Sequence, residues 1–233
     1  MLEEIIANAP AQFVDLVRNA IQQISNNLPF FDGVISNPAT GIIGFVESIN
    51  IAYNYTCKQH LRYFVSGMGK KSTDKKAVQR LYDFISSQKR AEYVMEMMRI
   101  AITSSSRKVS TIIGIYLSEL SEKGKDISQE DIIISDTLKV FNDFDVTNYI
   151  CALNPVINNA EDDEAESYCN ILESDLNIEE KVTLHKCLAT GIVLKNGPLF
   201  DGDTLDMGSY YKIWQESVRF YELCKTVEDA LAD

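Results

Sequence analysis

The sequence is poor in the residues that build metal sites and disulfide frameworks. Only two histidines, His60 and His185, occur among its 233 residues. Its five cysteines are widely spaced and include no CxxC pair, so neither a zinc-ligand spacing nor a set of disulfides is indicated. We therefore expect reduced cysteines, no metal ion and no cofactor.

Long apolar runs are also missing. No stretch reaches the roughly 18 to 20 consecutive apolar residues of a membrane-spanning helix, so none is expected. With five prolines and eleven glycines, the chain is neither collagen-like nor dominated by linkers. Glu3 and Glu4 stand where a secretory signal would carry lysine or arginine. These features predict a cytoplasmic globular protein.

Positive charge is absent from one part of the chain and concentrated in another. From Val140 to Glu180 there is no lysine or arginine, whereas Lys58 to Lys108 holds twelve basic and four acidic residues. That segment carries +8, although the whole chain carries -12. Such segregation indicates a partner surface or a contact between the two halves of the chain. The candidate binding residues are Arg62, Lys70, Lys71, Lys75, Lys76, Arg80, Lys89 and Arg90.

Apolar residues spaced by three and four positions predict helices along most of the chain. Gly67, Gly69 and the polar residues 70–74 are expected to end one helix, and the serines Ser104–Ser106 to separate two others. Gly124 supplies a left-handed C-cap, and Ser128 begins the next helix. Pro155 is expected to end the helix after that.

One predicted helix, from about Thr40 to Tyr55, is apolar over much of its surface. A buried central helix, an oligomer contact and a membrane-surface helix would each explain such a pattern. Because Glu47 makes deep insertion into lipid costly, we predict that this helix is buried in the fold or in a homo-oligomer.

The pattern changes beyond an acidic run. Ile171 and its neighbours predict a short helix, and a second helix runs from Ile178 to Leu188 with Val182, Leu184, Cys187 and Leu188 on its apolar face. A strand at Ile192–Gly197, a returning strand at Tyr210–Trp214 and a closing amphipathic helix follow. This is the order of a winged-helix module. We predict a mainly α protein, with a helical bundle over residues 1–157 and a winged-helix-like α+β module over 158–233.

No catalytic motif emerges. The serines Ser104–Ser106 have neither a histidine partner nor a GxSxG context. The loop Asp201–Asp206 carries its glycine at the second position, which departs from an EF-hand, so a turn is preferred to a calcium site. We therefore expect a protein that is not an enzyme.

The order of several segments along the chain is similar to that in a known group of proteins. They are Gly41–Gly44, Glu92–Ala101, Ile112–Leu117, Ala189–Val193 and Tyr210–Ile213. In this order the chain resembles bacterial and phage-borne helical proteins with a carboxyl-terminal winged helix, of which the abortive-infection alpha family is the named example. The resemblance implies a role in phage–host conflict and carries over no catalytic residue.

The charge of the predicted third helix of the module bears on its partner. It begins Asn177-Ile-Glu-Glu180, which puts two carboxylates at the end that should meet DNA phosphates. Contact with protein is therefore preferred. The sequence predicts a non-enzymatic interaction protein in phage defence or its regulation that binds another protein and forms homo-oligomers. The alternative is a nucleic-acid-binding transcriptional regulator that uses the basic segment 58–108.

Overall fold

A computed structural model describes residues 55–57, 59–68, 80–81, 83–159, 170–196, 200–201, 204–205 and 210–232. By their contacts they form two compact units, one up to Asp126 and the other from Ile127 onward. Residues 40–54 of the predicted apolar helix lie outside the described residues. The prediction of its burial therefore stays a prediction.

The amino-terminal unit contains the helical residues 59–68, helix α1 (Gln88–Thr103) and helix α2 (Arg107–Lys123). The Ser106 side chain accepts a hydrogen bond from the Val109 amide at 3.0 Å and so caps the start of α2. Gly124 ends α2 in the left-handed conformation, at φ 61°. The serine break and the glycine cap are confirmed.

Two glycines let the helical segment 59–68 pack closely on α2. A Cβ atom at Gly67 would collide with the Thr111 carbonyl oxygen, and one at Gly114 with the Phe64 carbonyl oxygen. The described part of this helix reaches Met68, and Gly69 and residues 70–74, which are predicted together with Gly67 to end it, lie outside the described residues. Because Gly67 has no side chain, the backbones of the two helices can come into contact at this residue.

The carboxyl-terminal unit is built mainly from four helices: α3 (Gln129–Val140), α4 (Asp143–Asn159), α5 (Ile178–Thr190) and α6 (Gln215–Ala232). Its core includes an aromatic cluster in which the rings of Phe141, Tyr149 and Phe220 meet edge to face, with centroids 5.3–5.9 Å apart. The buried Tyr149 hydroxyl donates to the Ser217 carbonyl at 3.0 Å, which fixes α4 to α6.

Helix α4 passes through the residue that was expected to end it. Pro155 lies inside the helix, so the predicted stop was wrong. Proline removes one backbone hydrogen bond from a helix, and here packing of α4 against α5 and α6 outweighs that loss. At its other end, the Asn142 side chain accepts from the Phe144 and Asp145 amides, and the Asp145 carboxylate accepts from the Asn142 amide at 2.8 Å.

A small antiparallel sheet completes the carboxyl-terminal unit. Strands β1 (Asn170–Leu172), β2 (Leu194–Asn196) and β5 (Tyr210–Lys212) lie in the order β1-β5-β2. In the sequence between β2 and β5, strands β3 (Phe200–Asp201) and β4 (Thr204–Leu205) pair with each other as a separate two-stranded sheet. The short helix predicted around Ile171 was wrong, because this residue pairs with Tyr211 in the sheet. The strand predicted within Ile192–Gly197 and the returning strand predicted within Tyr210–Trp214 are confirmed as β2 and β5.

The mainly α fold class is confirmed. The two compact units are divided between Asp126 and Ile127 and not at the predicted boundary 157/158, because α3 and α4 pack on α5 and α6. The limits of independently folding domains stay a prediction. Among the described helices, none combines the length and the hydropathy needed to cross a membrane.

Candidate functional site

Two of the predicted binding residues stabilise the amino-terminal unit. Arg90 donates to the Asp126 carboxylate at 2.8 Å and to the Gly124 carbonyl at 3.0 Å, and its guanidinium lies 4.7 Å from the centre of the Phe84 ring. Arg80 donates to Glu122 at 3.0 Å. These contacts hold both guanidinium groups within the unit, which leaves them less available to a partner.

The other predicted binding residues are placed only in part. Arg62 and Lys89 have exposed side chains. Lys70, Lys71, Lys75 and Lys76 lie outside the described residues. The binding surface predicted for the basic segment therefore stays a prediction.

A serine and a histidine meet in the core of the amino-terminal unit. The Ser110 hydroxyl lies 2.8 Å from His60 Nδ1, 2.8 Å from the Ala101 carbonyl oxygen and 2.9 Å from the Ser106 carbonyl oxygen. A hydroxyl has one proton and both carbonyls can only accept, which favours the tautomer in which Nδ1 donates to Ser110. A histidine that donates to serine cannot remove its proton. This pair joins elements of the core and is not arranged as a nucleophile and base.

The ion pair between Lys186 and Asp145 in the carboxyl-terminal unit is also fully engaged. Lys186 Nζ lies 2.8 and 2.7 Å from the two oxygens of Asp145, a side chain that is 5% exposed. Thr183 donates to one of these oxygens and the Asn142 amide to the other. The Asp145 carboxylate thus ties α5 to the start of α4 and has no remaining strong acceptor site for a ligand.

Helix α5 turns an uncharged line of side chains to solvent. Ile178, Val182, His185 and Ala189 follow one another at spacings of four, three and four residues, which places them on one side of the helix. All four are exposed, Ile178 to 74% and Val182 to 55%. We call these four residues the α5 line. On the opposite side, Thr183, Leu184 and Cys187 are buried.

Caps at both ends of α5 and contacts with Asp145 explain why this side faces outward. Asn177 caps α5 by accepting from the Glu180 amide, and Glu180 accepts from the Asn177 amide at 2.9 Å. Gly191 ends the helix at φ 81°. Thr183 and Lys186 then bond to Asp145, so the rotation of the helix is fixed by contacts on its inner and lateral sides.

Charged residues border the α5 line. On one flank, Glu179 is exposed, and Lys186 is paired with Asp145. On the other flank lie Lys181 and the ion pair between Lys195 and Glu173, 3.0 Å apart. The hydrogen bond from Lys195 lowers the pKa of Glu173, with smaller contributions from His185 and Lys181. One border is therefore acidic and the other is mixed.

The sheet supports this surface from below. Tyr211 in β5 is fully buried, and the centre of its ring lies 6.4 Å from that of His185. Lys195 Nζ lies 5.7 Å from the centre of the same ring. Burial raises the pKa of Tyr211. The phenol thus stays neutral near physiological pH, and it acts as packing between α5 and the sheet.

The sequence identified α5 but placed its apolar face only in part. Leu184 and Cys187 are buried as expected, whereas Val182 is exposed. A second line without lysine, arginine or carboxylates, at 178, 182, 185 and 189, is present in the sequence, and periodicity alone does not reveal which of the two lines is buried.

Within the described part of the chain, no three side chains of histidine, cysteine, aspartate or glutamate are grouped so that they could hold a metal ion. Compared with known proteins, the chain matches no family model, no curated protein and no solved structure. The resemblance to the abortive-infection alpha family therefore stays a prediction.

Proposed function

We propose that this is a non-enzymatic interaction protein that acts in phage defence or its regulation and binds a protein partner through α5. The α5 line carries the protein-binding part of this proposal, and the resemblance described above implies the role in phage defence. Four successive solvent-facing positions on a capped, well-packed helix include two branched aliphatic side chains and no charge. Exposed apolar groups arranged in this way are typical of helix-in-groove or helix-on-helix recognition.

A winged-helix-like arrangement of the carboxyl-terminal unit is part of the proposal. It is supported by the order β1, α5, β2, hairpin, β5 and by the sheet order β1-β5-β2. In such modules the helix before the hairpin is the one that meets the ligand. Here that helix is α5. The α5 line itself contains no lysine or arginine that could neutralise DNA phosphates, and Lys181 lies on one flank.

The experiment combines a phage assay with site-specific crosslinking. Ile178→Ser with Val182→Ser removes the aliphatic groups of the α5 line, and Ile132→Ser, which alters a 46% exposed residue of α3, is the matched control. In a bacterial host, we expect the parent and the control to change the plating efficiency of at least one phage, and the double variant to lose that effect.

A photo-crosslinking residue at position 182 should capture a partner that the same residue at position 132 does not capture. An unchanged phage phenotype in the double variant, or identical crosslinks from both positions, would refute docking through α5.

The alternative, nucleic-acid binding through the basic segment, is tested separately. Duplex DNA and RNA should form no stable complex at moderate salt. Tight binding that falls steeply with salt, and that is lost when Lys70, Lys71, Lys75 and Lys76 are replaced by glutamine, would reverse this ranking.

A further inference from the structure

We infer that the α5 line binds a helix whose apolar face is bordered by lysine or arginine. The inference rests on the proposed function, because it names the chemistry of the partner that docks on α5. Three features of the carboxyl-terminal unit carry it: the length of the line, the charge beside it and the net charge of the unit.

The length of the line suits a short helix. From Ile178 to Ala189 the helix advances about 16 Å, at 1.5 Å per residue, or roughly three turns. A partner helix of three to four turns would cover Ile178, Val182 and Ala189 with its own apolar positions. Such a helix is of ordinary length for groove recognition.

The border with Glu179 favours a cationic neighbour. Glu179 follows Ile178 by one residue, and Lys186 follows His185 by one residue, so both lie on the same flank. Lys186 is neutralised by its two contacts with Asp145. Glu179 is exposed and Glu180 serves as a cap, which leaves Glu179 to attract a cation on this flank.

The net charge of the unit gives the same preference at longer range. From Ile127 to the last residue there are seven basic and twenty-two acidic residues, a net charge of -15. This field attracts basic partners and repels acidic ones. The same negative charge opposes pairing of α5 with the α5 of a second copy, because two units of net charge -15 would repel each other.

The test uses two labelled model peptides of about 18 residues, one an amphipathic leucine–lysine helix and the other its leucine–glutamate counterpart. Binding to the full chain is followed by fluorescence anisotropy at about 50 mM and about 300 mM salt. We expect the lysine peptide to bind at least ten-fold more tightly than the glutamate peptide. Ile178→Ser with Val182→Ser should weaken the lysine peptide at least ten-fold, whereas the Ile132→Ser control should leave it unchanged.

Charge variants on the two borders make opposite predictions. Glu179→Lys should weaken binding of the lysine peptide several-fold, and Lys181→Glu should strengthen it. Equal binding of both peptides would overturn the charge preference while leaving docking on α5 intact. Lysine-peptide binding that is unaffected by the double serine variant would show a general attraction to an acidic protein and overturn the inference.

Two further outcomes would also refute it. Binding of neither peptide would exclude a basic amphipathic helix as the partner. Self-association of the parent in sedimentation, lost in the double serine variant, would assign the α5 line to a second copy. Failure of the proposed function is read independently, from the phage assay and the crosslinks at position 182.

Discussion

The two units of this protein differ in how they hold their helices together. In the amino-terminal unit, Gly67 and Gly114 bring helix backbones into contact, and a buried serine bonds to a histidine and to carbonyl groups. In the carboxyl-terminal unit, an aromatic cluster and the Asp145–Lys186 pair join the helices through side chains. Helices of the amino-terminal unit thus approach closely at glycines, whereas helices of the carboxyl-terminal unit are joined by specific side-chain contacts.

Their use of charge differs too. The residues before Ile127 include fifteen basic and twelve acidic side chains, a net +3, against -15 for the remainder. In the first unit, Arg80 and Arg90 are engaged in internal contacts. The second unit leaves Glu179 exposed beside an uncharged line. Two arginines of the basic segment thus serve internal contacts, and the docking surface that we propose lies on the acidic unit.

The largest expected loss of stability comes from a substitution that breaks the close helix contact at Gly114. Gly114→Ala places a Cβ against the Phe64 carbonyl oxygen, so the helices must separate, and we expect a loss of about 3 kcal/mol in the free energy of unfolding. Gly124→Ala is the control, since no atom lies within 4 Å of its Cβ position and only its φ of +61° opposes the change. It should cost about 1 kcal/mol. Urea unfolding measures both, and equal costs would contradict close packing at Gly114.

The next effect concerns the ion pair of the carboxyl-terminal unit. Asp145→Asn removes the charge that Lys186 meets at 2.7 Å, and we expect a loss of about 2 kcal/mol. A double-mutant cycle with Lys186→Met isolates the coupling between the two side chains. We expect that coupling to be at least about 1 kcal/mol. If the two losses simply add, the pair contributes nothing of its own.

A smaller effect depends on pH. Burial, together with a hydrogen bond and charge from Glu130, raises the pKa of Glu216 above its ordinary value of 4.5, while Arg219 acts in the opposite direction. A raised pKa means that the folded state binds the proton more readily, so this group stabilises the fold below 4.5 and the contribution is lost as pH rises through the folded pKa. Glu216→Gln should therefore raise Tm at about pH 7 and change it little at about pH 4. The opposite order would show that the charged form is favoured in the fold.

Much of the fold follows from local sequence signals. Ser106, Gly124, Ser128 and Gly191 each begin or end a helix where capping chemistry predicts it, because a cap depends on residues within a few positions. Pro155 shows the limit of such signals, since the tertiary packing of α4 overrides them.

The candidate site was harder to predict, because it depends on which side of a helix is covered. Val182 and Leu184 are both apolar and only two residues apart, yet one is 55% exposed and the other is buried. The difference comes from long-range contacts, such as that between Asp145 and Lys186, which fix the rotation of α5. Nothing in the sequence near Val182 encodes them.

The smallest expected effect tests whether the α5 line serves binding and not folding. Ile178 and Val182 are already mostly in water, so replacing both with serine should change the free energy of unfolding by no more than about 0.5 kcal/mol. Leu184→Ser, on the buried side of the same helix, should cost about 3 kcal/mol, because it removes packed apolar atoms and buries a hydroxyl. Urea unfolding of the three proteins gives the comparison. A large loss in the double variant would mean that the line packs within the chain, and it would withdraw the surface on which a partner helix is proposed to dock.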